Sequence, residues 1–100
     1  MSATPITILL AEDNPGDVYL VRLALQQSGL NFNLVEVSDG EEALLYLNAL
    51  GGDDKASVPS FALLDLNLPR IDGKRVLERL KAIPKCAATQ IIVLDRKSVV

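Results

Sequence analysis

The chain has 100 residues and a formal net charge of −3 at pH 7, which suits one small domain. It contains no histidine, so histidine-based catalysis and histidine-ligated metals are excluded, and its single cysteine, Cys86, rules out an internal disulfide. The mild acidity and the lack of a basic stripe argue against nucleic acid as a direct partner. The apolar runs are too short to cross a bilayer, and the N-terminus lacks the basic start of a signal peptide. We therefore expect no membrane association and a cytoplasmic location.

The first third of the chain predicts a strand, a helix and a second strand. The run ITILLA (6–11) is apolar throughout, as expected for a strand covered on both faces. Asn14 can cap a helix, Pro15 suits its first position, and Gly29 should end it. The run FNLVEV (32–37) mixes polar and apolar residues, which is typical of an edge strand. The helix face expected to point inward carries Val18, Val21 and Leu25.

A second helix and a third strand come next. Ser38 and Asp39 offer caps for a helix over EEALLYLNAL (41–50), which the glycine pair at 51–52 should stop. After a polar loop, FALLD (61–65) is again apolar up to its final aspartate, and it predicts a third strand.

A third helix and a fourth strand complete the pattern. The helix should cover about 73–82, with apolar residues at helical spacing and Pro84 ending it. QIIVL (90–94) is the fourth strand. Alternating strands and helices with short links predict a parallel sheet with helices on both faces. We expect the first, third and fourth strands to be the most buried, because they are the most apolar.

Acidic residues stand at the ends of two predicted strands. Glu12 and Asp13 follow the first strand, and Asp65 ends the third. Carboxyl ends of parallel strands meet at one edge of a sheet, so three carboxylates should crowd there and repel one another unless a cation lies between them. Mg²⁺ suits such oxygen ligands, and Asn67 can add a backbone carbonyl. Asp65 would then attack an activated phosphorus as a carboxylate nucleophile.

Each acidic feature also has a plainer interpretation. Glu12 and Asp13 alone could be a pair favoured by the positive start of a helix, and Asp65 alone could be a loop acid. The combination of acids at two neighbouring strand ends favours the metal site. An aspartate-dependent phosphatase fits less well, because that chemistry needs a second acid two residues after the nucleophile, where this chain has Asn67.

Several segments together resemble the receiver domain of bacterial two-component response regulators, the CheY-like family. They are AEDNPGD, SDGEEAL, LLDLNLPRIDG and QIIVL, and they extend over nearly the whole chain. EDNPGD together with DLNLPRIDG is most similar to the single-domain regulators that serve cyanobacterial phytochrome-type histidine kinases. The resemblance implies a doubly wound, flavodoxin-like α/β fold with a parallel sheet in the order 2-1-3-4. It also implies a signalling domain and not an enzyme.

The resemblance also implies roles for individual residues. Residues 1–100 would form one receiver domain, in which Asp65 accepts a phosphoryl group from the phosphohistidine of a histidine kinase. Glu12 and Asp13 would hold Mg²⁺ together with Asp65, and Asn67 would contribute its backbone carbonyl. These residues match the family motif position by position.

The end of the chain departs from the family pattern. The family has a Thr or Ser hydroxyl directly after the fourth strand, where this chain has Asp95. A fifth strand ending in lysine and a fifth helix would then follow, but the chain reads LDRKSVV to its last residue, and Lys97 lies too early to replace that lysine. We expect the domain to lack both elements and to be incomplete at its C-terminus.

Two expectations follow from these departures. Asp95 would repel a phosphoryl group on Asp65, and the missing lysine removes a further stabilising cation. We therefore expect Mg²⁺ binding to persist weakly, with slow or absent phosphorylation. For the same two reasons, the alternative function is a non-phosphorylated interaction module. The fourth strand would become a bare apolar edge, and such edges pair with other chains. We therefore expect a homodimer or a larger assembly.

Overall fold

The computed structural model describes residues 5–52, 57–65 and 73–94. All four predicted strands and all three predicted helices are present in it, and a short 3-10 helix, Pro84–Cys86, follows the last helix. The bounds are β1 Ile6–Ala11, α1 Pro15–Gln27, β2 Phe32–Val37, α2 Gly40–Gly52, β3 Phe61–Asp65, α3 Gly73–Ala82 and β4 Gln90–Leu94. The helix α2 includes the two glycines that were expected to stop it. In the described part of the chain, no helix is long and apolar enough to cross a membrane.

The strands form one parallel sheet in the order β2-β1-β3-β4. β1 lies between β2 and β3, with Ala11 opposite both Val37 and Leu64. Asp65, the last residue of β3, is opposite Leu94 of β4. This arrangement confirms the predicted fold class and strand order, and it places the C-terminal ends of β1 and β3 side by side.

Local signals in the sequence account for the ends of α1. The side-chain oxygen of Asn14 accepts hydrogen bonds from the backbone nitrogens of Gly16 (2.8 Å) and Asp17 (3.3 Å). Pro15 occupies the first helical position, where a missing N–H costs nothing. After the helix, Gly29 adopts a φ of 80°, the left-handed conformation that commonly ends helices. Both predicted ends of this helix are confirmed.

The start of α2 is held by a reciprocal pair of bonds. The side chain of Asp39 accepts from the backbone nitrogen of Glu42 at 2.8 Å. The Glu42 carboxylate reaches back and accepts from the backbone nitrogen of Ser38 at 2.9 Å. This arrangement resembles a capping box, and it fixes the direction in which the chain leaves β2.

The main hydrophobic core lies between one face of the sheet and the helices α2 and α3. Side chains alternate between the two faces of a strand, and the core takes one set from β1 and β3. Its fully buried members include Leu9, Ala11, Ala62 and Leu64 from the sheet and Ala43, Leu47, Val76 and Leu80 from the helices.

The helix α1 lies on the other face of the sheet. Ile8 and Leu10 alternate with the core residues of β1 and are buried on this second face. Glu36 is opposite Leu10 in the sheet register, and it forms an ion pair with Arg22 of α1. The prediction of helices on both faces is therefore confirmed.

This second face is less completely covered than the core face. The predicted inward residues of α1, at positions 18, 21 and 25, are only half-buried, and α1 has no fully buried residue among those described. In β4, Ile92 is 45% exposed and Val93 is 42% exposed. The prediction that the fourth strand is among the most buried is wrong. Within the described residues, β4 pairs only with β3, and an apolar composition does not place a strand inside a sheet.

Candidate metal centre

Three carboxylates converge at the C-terminal edge of the sheet. Glu12 and Asp13 directly follow β1, and Asp65 ends the neighbouring strand β3. Each side chain offers one oxygen, and these oxygens all lie within 4.8 Å of one another. Glu12 is 3% exposed and Asp65 is 4% exposed, whereas Asp13 is exposed to solvent. The structure therefore brings together the three acidic residues that the sequence pattern singled out.

Two other residues proposed from the sequence cannot be placed in this site. Asn67, expected to offer a backbone carbonyl, and Asp95, which stands where the family has a hydroxyl, both lie outside the described residues. The nearest described positions are Asp65 and Leu94, which are opposite each other in the sheet. In the sequence, Asn67 follows Asp65 by two residues, and Asp95 directly follows Leu94.

Backbone bonds set the position of the first two acids. The backbone nitrogen of Glu12 donates to the carbonyl oxygen of Val37 at 3.0 Å, so the bonding between β1 and β2 continues one residue past β1. The backbone nitrogen of Asn14 donates to Oε2 of Glu12 at 3.1 Å. The chain then enters α1 directly, and Asp13 lies between two residues that are each held by a hydrogen bond.

The electrostatics of this cluster favour a cation. Two unit charges at 4.8 Å repel by about 3 kcal/mol at an effective dielectric of about 20. Oxygens bound to one Mg²⁺ at about 2.1 Å lie at most about 4.2 Å apart. Only one pair among three ligands can be opposite, and adjacent ligands are about 3 Å apart, so the carboxylates would need to move closer together, or one would bind through water. All three donors are hard oxygens, which is the ligand type that Mg²⁺ prefers. The residues present thus fit this ion.

A cavity of about 470 Å³ extends from the acidic cluster between α1 and the start of α2. Its lining includes Glu12, Asp13, Tyr19, Arg22, Glu36 and Glu42. Sequence reasoning missed Arg22, because it faces this cavity only through the packing of α1 on the sheet. Its guanidinium donates to Glu36, and both side chains are 41% exposed. Arg22 is thus engaged with a fourth acid at the rim of the cavity.

The sequence model of one protein family, the response regulator receiver domain, matches residues 8–99 of the chain. The chain belongs to this family. It is therefore a receiver domain of two-component response regulators, a class of signalling domains and not of classical enzymes. Solved receiver domains hold Mn²⁺ or Mg²⁺, and domains of this family interact with histidine kinases.

The family assignment is supported by similar proteins. Response regulator Rcp1 of Synechocystis sp. is 37% identical over 93 residues, which are 93% of this chain and 63% of Rcp1. The solved structure of the phosphorylated cyanobacterial phytochrome response regulator RcpA is 40% identical, with a TM-score of 0.79, over 92% of this chain and 66% of that one. The solved structure of the Mn²⁺-bound form of Rcp1 is 36% identical, with a TM-score of 0.79. The match covers 91% of this chain and 66% of that chain.

These similarities confirm the predicted resemblance to receiver domains and, within them, to cyanobacterial phytochrome regulators. The chain spans just under two thirds of the length of these relatives. The activity and partners of the longer proteins therefore enter below only as proposals.

Proposed function

We propose that Asp65 accepts a phosphoryl group from the phosphohistidine of a histidine kinase. In this reaction a carboxylate oxygen of Asp65 attacks the phosphorus. The bond between phosphorus and the imidazole nitrogen of the kinase breaks, and its electron pair stays on that nitrogen. The observation that carries the proposal is the convergence of three carboxylate oxygens within 4.8 Å, with Asp65 buried at a strand end.

In this proposal, Glu12, Asp13 and Asp65 hold Mg²⁺, and the backbone carbonyl of Asn67 completes the protein ligands. When bound, Mg²⁺ neutralises charge on the carboxylates and on the transferred phosphoryl group. The neighbouring residues keep the acids in place, through the bonds from Glu12 to Val37 and from Asn14 to Glu12. The Mn²⁺-bound structure of Rcp1, 36% identical to this chain, supports a divalent cation as the cofactor.

The kinase partner is proposed to be of the phytochrome type. The structure of the phosphorylated phytochrome response regulator RcpA, 40% identical over 92% of this chain, supports this choice. Such a reaction agrees with the cytoplasmic location expected from the sequence. The cytoplasmic location stays a prediction. That residues 1–100 form a single receiver domain also stays a prediction.

Asp95 favours a second candidate function, a receiver-fold interaction module that is not phosphorylated. In the sequence Asp95 directly follows Leu94, which is opposite Asp65 in the sheet. A carboxylate at about 4 Å from a phosphoryl group would cost about 4 kcal/mol at an effective dielectric of about 20. A hydroxyl at the same position would instead donate a hydrogen bond.

Phosphorylation assays on four forms of the chain separate the two candidates. The wild type, Asp65→Asn, Asp95→Thr and the double variant are incubated with Mg²⁺ and either a small phosphodonor or an autophosphorylated phytochrome-type kinase. Intact mass then reports the gain of one phosphoryl group. The phosphoacceptor function predicts labelling of the wild type that Asp65→Asn abolishes. Labelling that appears only in Asp95→Thr, and is lost in the double variant, would favour the interaction module.

We also propose that the chain forms a homodimer or a larger assembly through the edge of β4. Support comes from the exposure of Ile92 (45%) and Val93 (42%), and from the pairing of β4 with β3 alone among the described residues. Exposed apolar strand edges pair readily with other chains. Val93→Lys should therefore shift the chain towards monomer in multi-angle light scattering. The matched control is Leu45→Lys, at a 70% exposed position of α2, and it should leave the assembly unchanged. A monomeric wild type at high concentration would contradict the proposal.

A further inference from the structure

The turn between β1 and α1 holds Asp13 from both sides. On one side, the backbone nitrogen of Glu12 is bonded to the carbonyl oxygen of Val37. On the other side, Asn14 is the cap of α1, with φ −93° and ψ 114°, and its side-chain oxygen accepts from the backbone nitrogen of Gly16 at 2.8 Å. The backbone of the proposed metal ligand is therefore set by its two neighbours.

The Glu12 carboxylate is tied to the same turn. Its Oε2 accepts from the backbone nitrogen of Asn14 at 3.1 Å, and the Glu12 side chain is only 3% exposed. Hydrogen bonds to an ionised carboxylate are stronger than neutral ones. The direction of this buried carboxylate consequently depends on where the N–H of Asn14 points, and that direction is set when Asn14 caps the helix.

The side-chain oxygen of Asn14 is engaged at the start of α1. Asn14 is exposed, and this oxygen accepts from the backbone nitrogens of Gly16 and Asp17. Its influence on the cluster therefore passes through its backbone to Glu12 and Asp13. A residue that merely stabilised the helix would lack this second connection.

We propose that Asn14 is a positioning residue of the metal site, which couples the cap of α1 to the orientation of the Glu12 and Asp13 carboxylates. The inference rests on the Mg²⁺ site of the proposed function. Removing a group that orients a metal ligand typically lowers metal affinity by about 10- to 100-fold. Because Asn14 acts through a backbone bond, we expect Asn14→Ala to weaken Mg²⁺ binding by about tenfold, at the lower end of this range.

Three substitutions and one control test the inference. Asn14→Ala removes the capping oxygen, and Asn14→Ser keeps a neutral capping oxygen. Asn14→Gly also removes the oxygen, but it destabilises the helix less than alanine does. Ser28→Ala is the matched control. It removes a neutral hydroxyl that accepts from the backbone nitrogen of Leu30 at the other end of α1, about 20 Å away.

Mg²⁺ affinity is measured by isothermal titration calorimetry on the full chain, and stability by urea unfolding in metal-free buffer. We expect weaker binding for the Ala and Gly variants, and affinity within about twofold of wild type for Asn14→Ser and Ser28→Ala. The Gly variant keeps the test valid if Asn14→Ala does not fold.

Three outcomes overturn the inference. If the Ala and Gly variants bind Mg²⁺ as tightly as wild type, or if Ser28→Ala weakens binding as much as they do, Asn14 has only a structural role and the metal site stands. If the wild type itself binds no Mg²⁺, the proposed metal function fails and this inference fails with it.

Discussion

Replacing Asp65 with asparagine removes one charge from the acidic cluster with little change in side-chain volume. Glu12 and Asp65 are 3% and 4% exposed, and their oxygens lie within 4.8 Å of each other. At an effective dielectric of about 20, this pair of charges repels by about 3 kcal/mol. Asp13 is exposed, so solvent and salt screen its share of the repulsion. The folded state therefore contains a substantial electrostatic repulsion between these carboxylates, and the substitution removes it.

The expected result depends on the metal. Other interactions of the two buried acids offset part of the repulsion, so in metal-free buffer Asp65→Asn should be more stable than wild type by about 1–2 kcal/mol. Added Mg²⁺ should reverse this order. A ligand at 100 times its dissociation constant stabilises the folded state by about 2.7 kcal/mol, and the variant has lost one direct ligand.

Urea unfolding followed by circular dichroism, with EDTA or with Mg²⁺, measures both effects. Glu78→Gln is the control, because it removes one exposed carboxylate from α3, and it should shift stability by less than about 0.5 kcal/mol in both buffers. The reasoning is refuted if Asp65→Asn is the less stable form without metal. It is also refuted if Mg²⁺ stabilises the variant as much as the wild type.

Further predictions concern the scaffold. Gly29→Ala should destabilise the chain by about 1 kcal/mol in urea unfolding because its φ is 80°, whereas Gly52→Ala, at the last residue of α2 with open space around it, should be neutral or stabilising. Leu47→Ala should cost about 2–5 kcal/mol by the same measurement, since Leu47 is fully buried. Burial raises the pKa of the Cys86 thiol above 9.0, and burial followed by the charge of Cys86 raises the pKa of Tyr46 above 10.0. Both groups hold their protons more tightly in the folded state than in the unfolded state. The free energy of unfolding should therefore keep its full value below about pH 9 and fall as the pH rises through the raised pKa values. Cys86→Ala should remove the first part of this fall, and an unchanged profile in that variant would contradict the assignment.

Local patterns in the sequence determined the elements of this fold. Three strands were recognisable as short apolar runs and β2 as a mixed run typical of an edge strand, and α1 was bounded by a cap at Asn14 and a glycine at position 29. These signals act between residues a few positions apart, so they can be read directly from the chain. The convergence of Glu12, Asp13 and Asp65 was also predictable, because ends of neighbouring parallel strands meet at one edge.

Burial and side-chain partners were decided only by the tertiary structure. β4 is apolar, yet Ile92 and Val93 are largely exposed, because burial depends on what packs beside a strand and not on its composition. The ion pair of Arg22 with Glu36 joins residues 14 positions apart, which no local pattern reveals. Local sequence patterns thus determined which segments became strands and helices. The neighbours of each segment in the tertiary structure decided how deeply it is buried and which charged side chains it contacts.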